Sequence, residues 1–450
     1  MLRILFALVL LASPAFATPY HWTRSLAVDF QSKGIGALGG TETRSLVAFD
    51  GRLFAGIGYW RDTDADDPKL PGAQVLVLDA ANAGWKVDLQ LDEVIASGPQ
   101  AGKKRYQAIG NLAAFEAHFD AEGHALARPV PFLVASVWDR VGGLRLFTRG
   151  AGAKAAWSSV DLATDAERAS QIRSFGTHVD AVTKRELFFA GTSPNGIYAG
   201  AYDGGGKAFV HWSAAPETWD SAGTGAQVRI MAFAECNGKL YATSGFELYE
   251  RQDGRAPSWK RIFTYDDPSD NPHISGFRGM RAIASPDGGE QLLIAVENSP
   301  LKIIRVDPRH PKAVVDLDVS EYLTKAWGTP VKYGIAAYND MLAIRLPGTS
   351  CESLMIGFEA TTPRDPSGAG KNRKHATAQY LVRRCDTDRY ELFAIDDPAY
   401  PGLPLVSTRT IARSPFRDDP PGTVYAGGLD AGNLTVHNSA WIYRGTIAPP

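Results

Sequence analysis

The stretch Gln227–Asp266, QVRIMAFAECNGKLYATSGFELYERQDGRAPSWKRIFTYD, constrains the fold more than any other part of the chain. It reads as four short strands in antiparallel order, Gln227–Glu235, Lys239–Thr243, Phe246–Gln252 and Trp259–Tyr265. Asn237-Gly238 and Asp253-Gly254 separate strands, and such dipeptides supply the positive φ that tight hairpins need. The apolar runs are too short for helices and suit strands. A sheet of this kind has two apolar faces and cannot stand alone; it needs copies of itself to cover them.

The chain contains such copies. Their common pattern is an apolar strand ending in Ala plus a large apolar residue, a turn, then Leu-Phe/Tyr-Ala. It recurs at Ser45–Trp60, from Asn111, at His178–Asp203, at Gly279–Asp307 and at Tyr333–Leu346, with a less regular copy from Leu405. The spacing is roughly 50 to 65 residues, that of propeller blades once loop insertions are allowed. The expected fold is therefore all-β: a single propeller over 18–450, most simply of seven four-stranded blades. Six or eight blades, or a pair of β-sandwiches, fit the same strand pattern. The last unit lacks a fourth strand, and His21–Phe30 offers one, which would close the ring and remove an open edge. The strand pattern resembles the secreted β-propeller superfamily as a whole. No Trp-Asp blade signature or other family motif accompanies it, so the resemblance implies a fold and carries over no active site.

Residues 1–17, MLRILFALVLLASPAFA, have the charge, apolar run and Ala-Phe-Ala end of a secretory signal peptide. A soluble periplasmic or extracellular protein is expected, and a monomer. No later segment is long and apolar enough to span a bilayer. The formal net charge of −2 argues against electrostatic capture of nucleic acid or anionic lipid. Of three cysteines, Cys351 and Cys385 fall in one unit and are expected to pair, leaving Cys236 as a thiol.

Several letter patterns invite a site. Asp62, Asp64 and Asp66 alternate in an acidic loop, as oxygen ligands of a Ca²⁺ would. The loop lacks the Gly and distant Glu of an EF-hand, so a solvated hairpin tip fits as well. Thr361–His375 has the composition of an exposed loop. Gly34, Gly36 and Gly39 match a dinucleotide fingerprint in spacing, but no βαβ unit surrounds them.

The first strand of each propeller blade lines the central channel, where ligands favour convergent mouths. Aligning the copies on their Ala places Ser45, Asn111, His178, Arg229 and Gly279 at one inward position. Asp180 and Arg281 then fall two residues on, and Arg44 and Arg278 just upstream, on the opposite face or in the loop. His178 beside Asp180 has the chemistry of a general base or metal ligand, and equally that of a buried, satisfied pair. Arg44, Arg229, Arg278 and Arg281 would hold a carboxylate, sulfate or phosphate, or brace neighbouring blades. Glu42, Asn111, His273 and His437 complete the candidate ligand set. Two functions follow: a propeller binding a small anion or a protein partner at its channel mouth, or a lactonase-like hydrolase or lyase, metal-assisted, acting on an anionic small molecule or glycan.

Overall fold

A computed structural model of the chain describes residues 20–26, 40–59, 71–164, 171–206, 208–217, 228–266, 275–331, 333–338, 341–362, 378–399, 407–429 and 440–447. The signal segment, the Asp62–Asp66 carboxylates, His273 and His437 lie outside them.

Successive strands form antiparallel meanders. After β1 (Tyr20–Leu26), the strands β2 (Glu42–Phe49), β3 (Arg52–Gly58), β4 (Ala73–Leu78) and β5 (Lys86–Leu91) pair in order. So do β6 (Tyr106–Phe119), β7 (Ala125–Asp139), β8 (Leu144–Gly150) and β9 (Ser158–Ala163). Three separate sheets follow: β10 (Gln171–Val179), β11 (Glu186–Ser193), β12 (Ile197–Tyr202) and β13 (Val210–Trp212); then β14 (Ile230–Cys236), β15 (Lys239–Ser244), β16 (Glu247–Gln252) and β17 (Ser258–Thr264); then β18 (Gly276–Ala284), β19 (Glu290–Glu297), β20 (Lys302–Val306) and β21 (Ala313–Asp318).

The next sheet has an interrupted first edge. There β22 (Tyr333–Ala336) and β23 (Leu342–Ile344) both pair β24 (Ser353–Thr361), followed by β25 (Gln379–Arg383) and β26 (Tyr390–Ala394). Finally β27 (Ser407–Arg413), β28 (Val424–Leu429) and β29 (Trp441–Ile447) take β1 as their fourth strand, in antiparallel register from Tyr20↔Ile447 to Leu26↔Ile442. Single bridges, Glu42↔Leu429 and Gly58↔Ala108, join the first, second and last meanders into one twelve-stranded sheet. The leading strands neighbour one another from β2 through β6, β10, β14 and β18 to β22; beyond β22 its partner β24 lies beside β27, and β27 lies beside β2.

Apolar side chains fill the space between meanders. Tyr20 and Trp22 of β1 pack with Tyr380, Phe393 and Tyr443, and Trp22 and Tyr380 meet edge to face at 5.7 Å. Gly445 permits this: a Cβ there would lie 2.7 Å from the Trp22 ring. Cys351 and Cys385 form a disulfide, while Cys236 is a buried free thiol whose pKa burial pushes up to about 12. The disulfide closes a loop with a sequence separation of 34. Replacing both cysteines by serine is expected to cost about 4 kcal/mol of unfolding free energy in urea titrations, from loop-closure entropy. A loss below about 1 kcal/mol would contradict this.

One helix, α1 (Val319–Trp327), stands where the strand reading expects only a connection. Asp318 caps it by accepting from the Glu321 amide at 2.8 Å, and Gly328 ends it at φ 64°. Val319 and Leu323 supply its buried face.

Candidate anion-binding site in the channel

Six leading strands are bulged near their starts. The register slips between Thr43 and Ser45, Ile109 and Leu112, Ile172 and Ser174, Ile230 and Phe233, Phe277 and Met280, and Thr408 and Thr410. A bulge breaks the two-residue alternation and re-aims one side chain. In four of these strands the first residue inside the slip is arginine: Arg44, Arg173, Arg278 and Arg409. The slips at Ile109 and Ile230 put Gly110 and Met231 there instead, and Arg229 stands one residue before Ile230.

These guanidinium groups share one electrostatic site. Arg173 has Arg229, Arg44 and Arg278 as its like-charged neighbours. Glu42, fully buried, faces Arg44 at 3.3 Å and is in tight contact with Arg409. Arg278 is ion-paired with Glu297 and approaches the Met231 sulfur at 3.8 Å. Arg409 lies over the Tyr338 ring, 3.8 Å from its centroid, and the Tyr338 hydroxyl donates to Glu359 at 2.5 Å. Tyr333 donates to Glu297. Among the described residues, five guanidinium groups face three carboxylates, an excess of positive charge.

Within this set the cations differ. Burial, opposed by Glu42, lowers the Arg44 pKa; burial and then Arg278 bring Arg229 down to about 10. Burial also works against charge on Arg409, but Glu42, Tyr338 and Glu359 outweigh it and hold its pKa up. Arg173 is the extreme. Burial of the charged end, then Arg229, Arg44 and Arg278, push its pKa well down against a smaller opposing pull from Glu297, although the residue as a whole is only half-buried. Among the described residues its guanidinium has no hydrogen bond or ion pair, and its Nε is sealed from solvent. Arginine stays protonated in proteins, so the lowered pKa marks an under-compensated charge rather than a neutral one.

Arg409 opens onto a cavity of about 330 Å³. The leading strands β2, β6, β10, β14, β18 and β27 all line it, together with β23 and β24, so they face one common space. Arg409 is its only charged lining side chain among the described residues. Asn111 also lines it and donates to the Arg173 carbonyl at 3.4 Å.

The structure separates His178 and Asp180 from this set. The strand begins at Gln171, seven residues before His178, so the alignment on Ala slid this copy along its own axis. His178 sits at the far end of β10 and Asp180 in the following turn. Both His178 ring nitrogens meet carboxylates, Glu235 at 2.5 Å and Asp253 at 3.0 Å, which leaves neither free to act as a base. Asp180 accepts from the Val182, Thr183 and Gly254 amides and from Arg251. Arg44 and Arg278, expected on the opposite face or in the loop, are turned inward by the bulges. Arg281 lies further along β18 and donates to the Met341 carbonyl at 3.0 Å. Arg173, Arg409, Glu297, Glu359, Tyr333 and Tyr338 escape the alignment altogether. A local signal did exist: TRSL at 43–46, IRSF at 172–175, FRGM at 277–280 and TRTI at 408–411. It is not sufficient, because TRSL at 23–26 lies on β1, beside β29.

The His178 contacts set a pH dependence. Burial opposes the charged ring, but Glu235 and Asp253 outweigh it, so the folded-state pKa is raised. The contribution is complete below the unfolded value of about 6.5 and is lost as pH rises through the folded value. Wild type should therefore exceed His178→Gln in stability most at pH 5–6, with the gap narrowing at alkaline pH in urea denaturation. A gap that widens with pH would contradict the assignment.

Consecutive antiparallel meanders whose leading strands face a common space are consistent with a β-propeller. No family model and no curated protein matches the chain. Among solved structures, the β-propeller domain of Cps50 (Swd1) from Myceliophteria thermophila is similar at TM-score 0.44 and 12% identity, covering 90% of this chain and 97% of that one. BBS1N, solved in complex with ARL6DN, is similar at TM-score 0.44 and 10% identity, with 95% and 97% covered. The K499G mutant of NanB sialidase from Streptococcus pneumoniae gives TM-score 0.40 and 10% identity, with 95% and 70% covered.

Proposed function

We propose that the chain is an exported, monomeric, seven-bladed propeller, closed by β1 in the last blade, that binds a small anionic ligand in its channel. The cyclic adjacency of the leading strands and the β1–β29 pairing support the ring. The sequence of residues 1–17 supports export. The observation that carries the ligand class is Arg173, a guanidinium without an ion pair or hydrogen bond among the described residues, set beside three more. A charge taken from water without compensation is costly, and an oxyanion accepting several charge-assisted hydrogen bonds offsets that cost. Isothermal titration with inorganic phosphate, sulfate and citrate tests this: saturable one-to-one binding, weakened about 10- to 100-fold in Arg173→Met, is the expected outcome. The absence of binding by all three would refute it.

A further inference from the structure

The cavity that Arg409 lines constrains the rest of the ligand. We infer, resting on the anion-binding reading, that the channel takes an amphipathic oxyanion: a phosphate, sulfate or carboxylate head on the guanidinium layer, carrying an apolar, aryl-sized body that fills the cavity. Polar groups mark one level of the wall, where Arg409, Asn111, Ser45 and Ser174 contribute. Further along the same strands the lining becomes Val47, Ala113, Phe175, Phe233 and Ile411, with Leu342. No carboxylate lines the cavity among the described residues, which disfavours a cationic or metal-bound guest. The side chains Val47, Ala113, Phe175, Phe233, Ile411 and Leu342 on that part of the wall offer no hydrogen bonds to a sugar or polyol, whose hydroxyls would lose water there without replacement. The volume of about 330 Å³ is at the small end of ligand pockets and suits a single ring or short chain beside the head group. Tyr338, already beneath Arg409, also lines the cavity and gives an aromatic body a face to stack on.

The test compares inorganic phosphate, glycerol 1-phosphate and phenyl phosphate by titration calorimetry on the wild-type protein. Burial of the ring predicts phenyl phosphate binding about 30-fold tighter than inorganic phosphate, while glycerol 1-phosphate gains little. Ala113→Phe, which fills the cavity from β6, should erase the preference for phenyl phosphate over inorganic phosphate. The wild-type series decides the matter if that variant fails to fold. Phenyl phosphate binding no tighter than glycerol 1-phosphate would overturn this inference alone, provided inorganic phosphate binds. No binding of any of the three would overturn the anion reading along with it.

Discussion

Replacing Arg251 by methionine is expected to destabilise the protein by about 3–5 kcal/mol, the typical cost of removing one partner from a buried ion pair. The Arg251 side chain is 1% exposed and ties three elements together. Its Nη1 meets Asp180 at 2.9 Å and Asp253 at 2.6 Å, while Nε and Nη2 form a fork on Glu217 at 3.1 and 2.9 Å. Its guanidinium also covers the Phe189 ring at 5.3 Å. Without it Asp180, equally buried, keeps only backbone donors. Arg251→Lys should recover little of the loss, since a single ammonium cannot serve Glu217 and two aspartates at once. Urea denaturation measures both, and a loss below about 1 kcal/mol for Arg251→Met would contradict the account. Burial raises the Asp180 pKa, but the Thr183 amide, Arg251 and the Gly254 amide outweigh it, so the folded value is lowered. The stabilisation is present above the unfolded value of about 3.9 and is lost as pH falls toward the folded one.

Arg173→Met should act in the opposite direction on the ligand-free protein. Arg251 is surrounded by carboxylates, whereas the neighbours that act on Arg173 are chiefly cations. Methionine keeps much of the side-chain volume and removes both the desolvated charge and its repulsion with Arg44, Arg229 and Arg278. A gain of about 1–2 kcal/mol in unfolding free energy is expected, in the range seen when buried ionic groups give way to apolar ones. The same substitution should weaken anion binding. Stability gained together with binding lost is the pattern expected of a site residue held at the expense of the fold. A destabilised Arg173→Met would instead place Arg173 among the structural braces.

The contrast between these two arginines shows what the letters could convey. The strand order was legible because turn chemistry is local: Asn237 and Gly238 adopt positive φ, and Cys236 and Lys239 close the hairpin they form. Apolar runs such as LVAF, LFFA and LLIA mark the buried strands for the same reason. The α1 helix was also present in local terms, as Asp318, Glu321 and Gly328 at capping positions. Its nine residues are too few for the 3.6 period to stand out against flanking strands. The candidate site was only half legible. Arg44, Arg229 and Arg278 were in view, but a strict alternation of faces puts Arg44 and Arg278 on the wrong side of their strands. A bulge is one extra residue whose place depends on the partner strand, so no single strand announces it. Glu297 and Glu359 come from second strands, β19 and β24, and reach the site only because those strands pair with β18 and β22. The His178–Asp253 contact spans the β10–β11 and β16–β17 turns, a neighbourhood set by how sheets stack.

The central claim, that the channel is built around an under-compensated cation awaiting an anion, is tested most directly by thermal denaturation of wild type and Arg173→Met across a phosphate titration at constant ionic strength. Ligand binding at 100 times Kd stabilises a folded protein by about 2.7 kcal/mol. The wild-type Tm should climb with phosphate, and the Tm of Arg173→Met should start higher and climb markedly less over the same titration. Parallel responses in the two proteins, or a wild-type Tm indifferent to phosphate, sulfate and citrate, would contradict it.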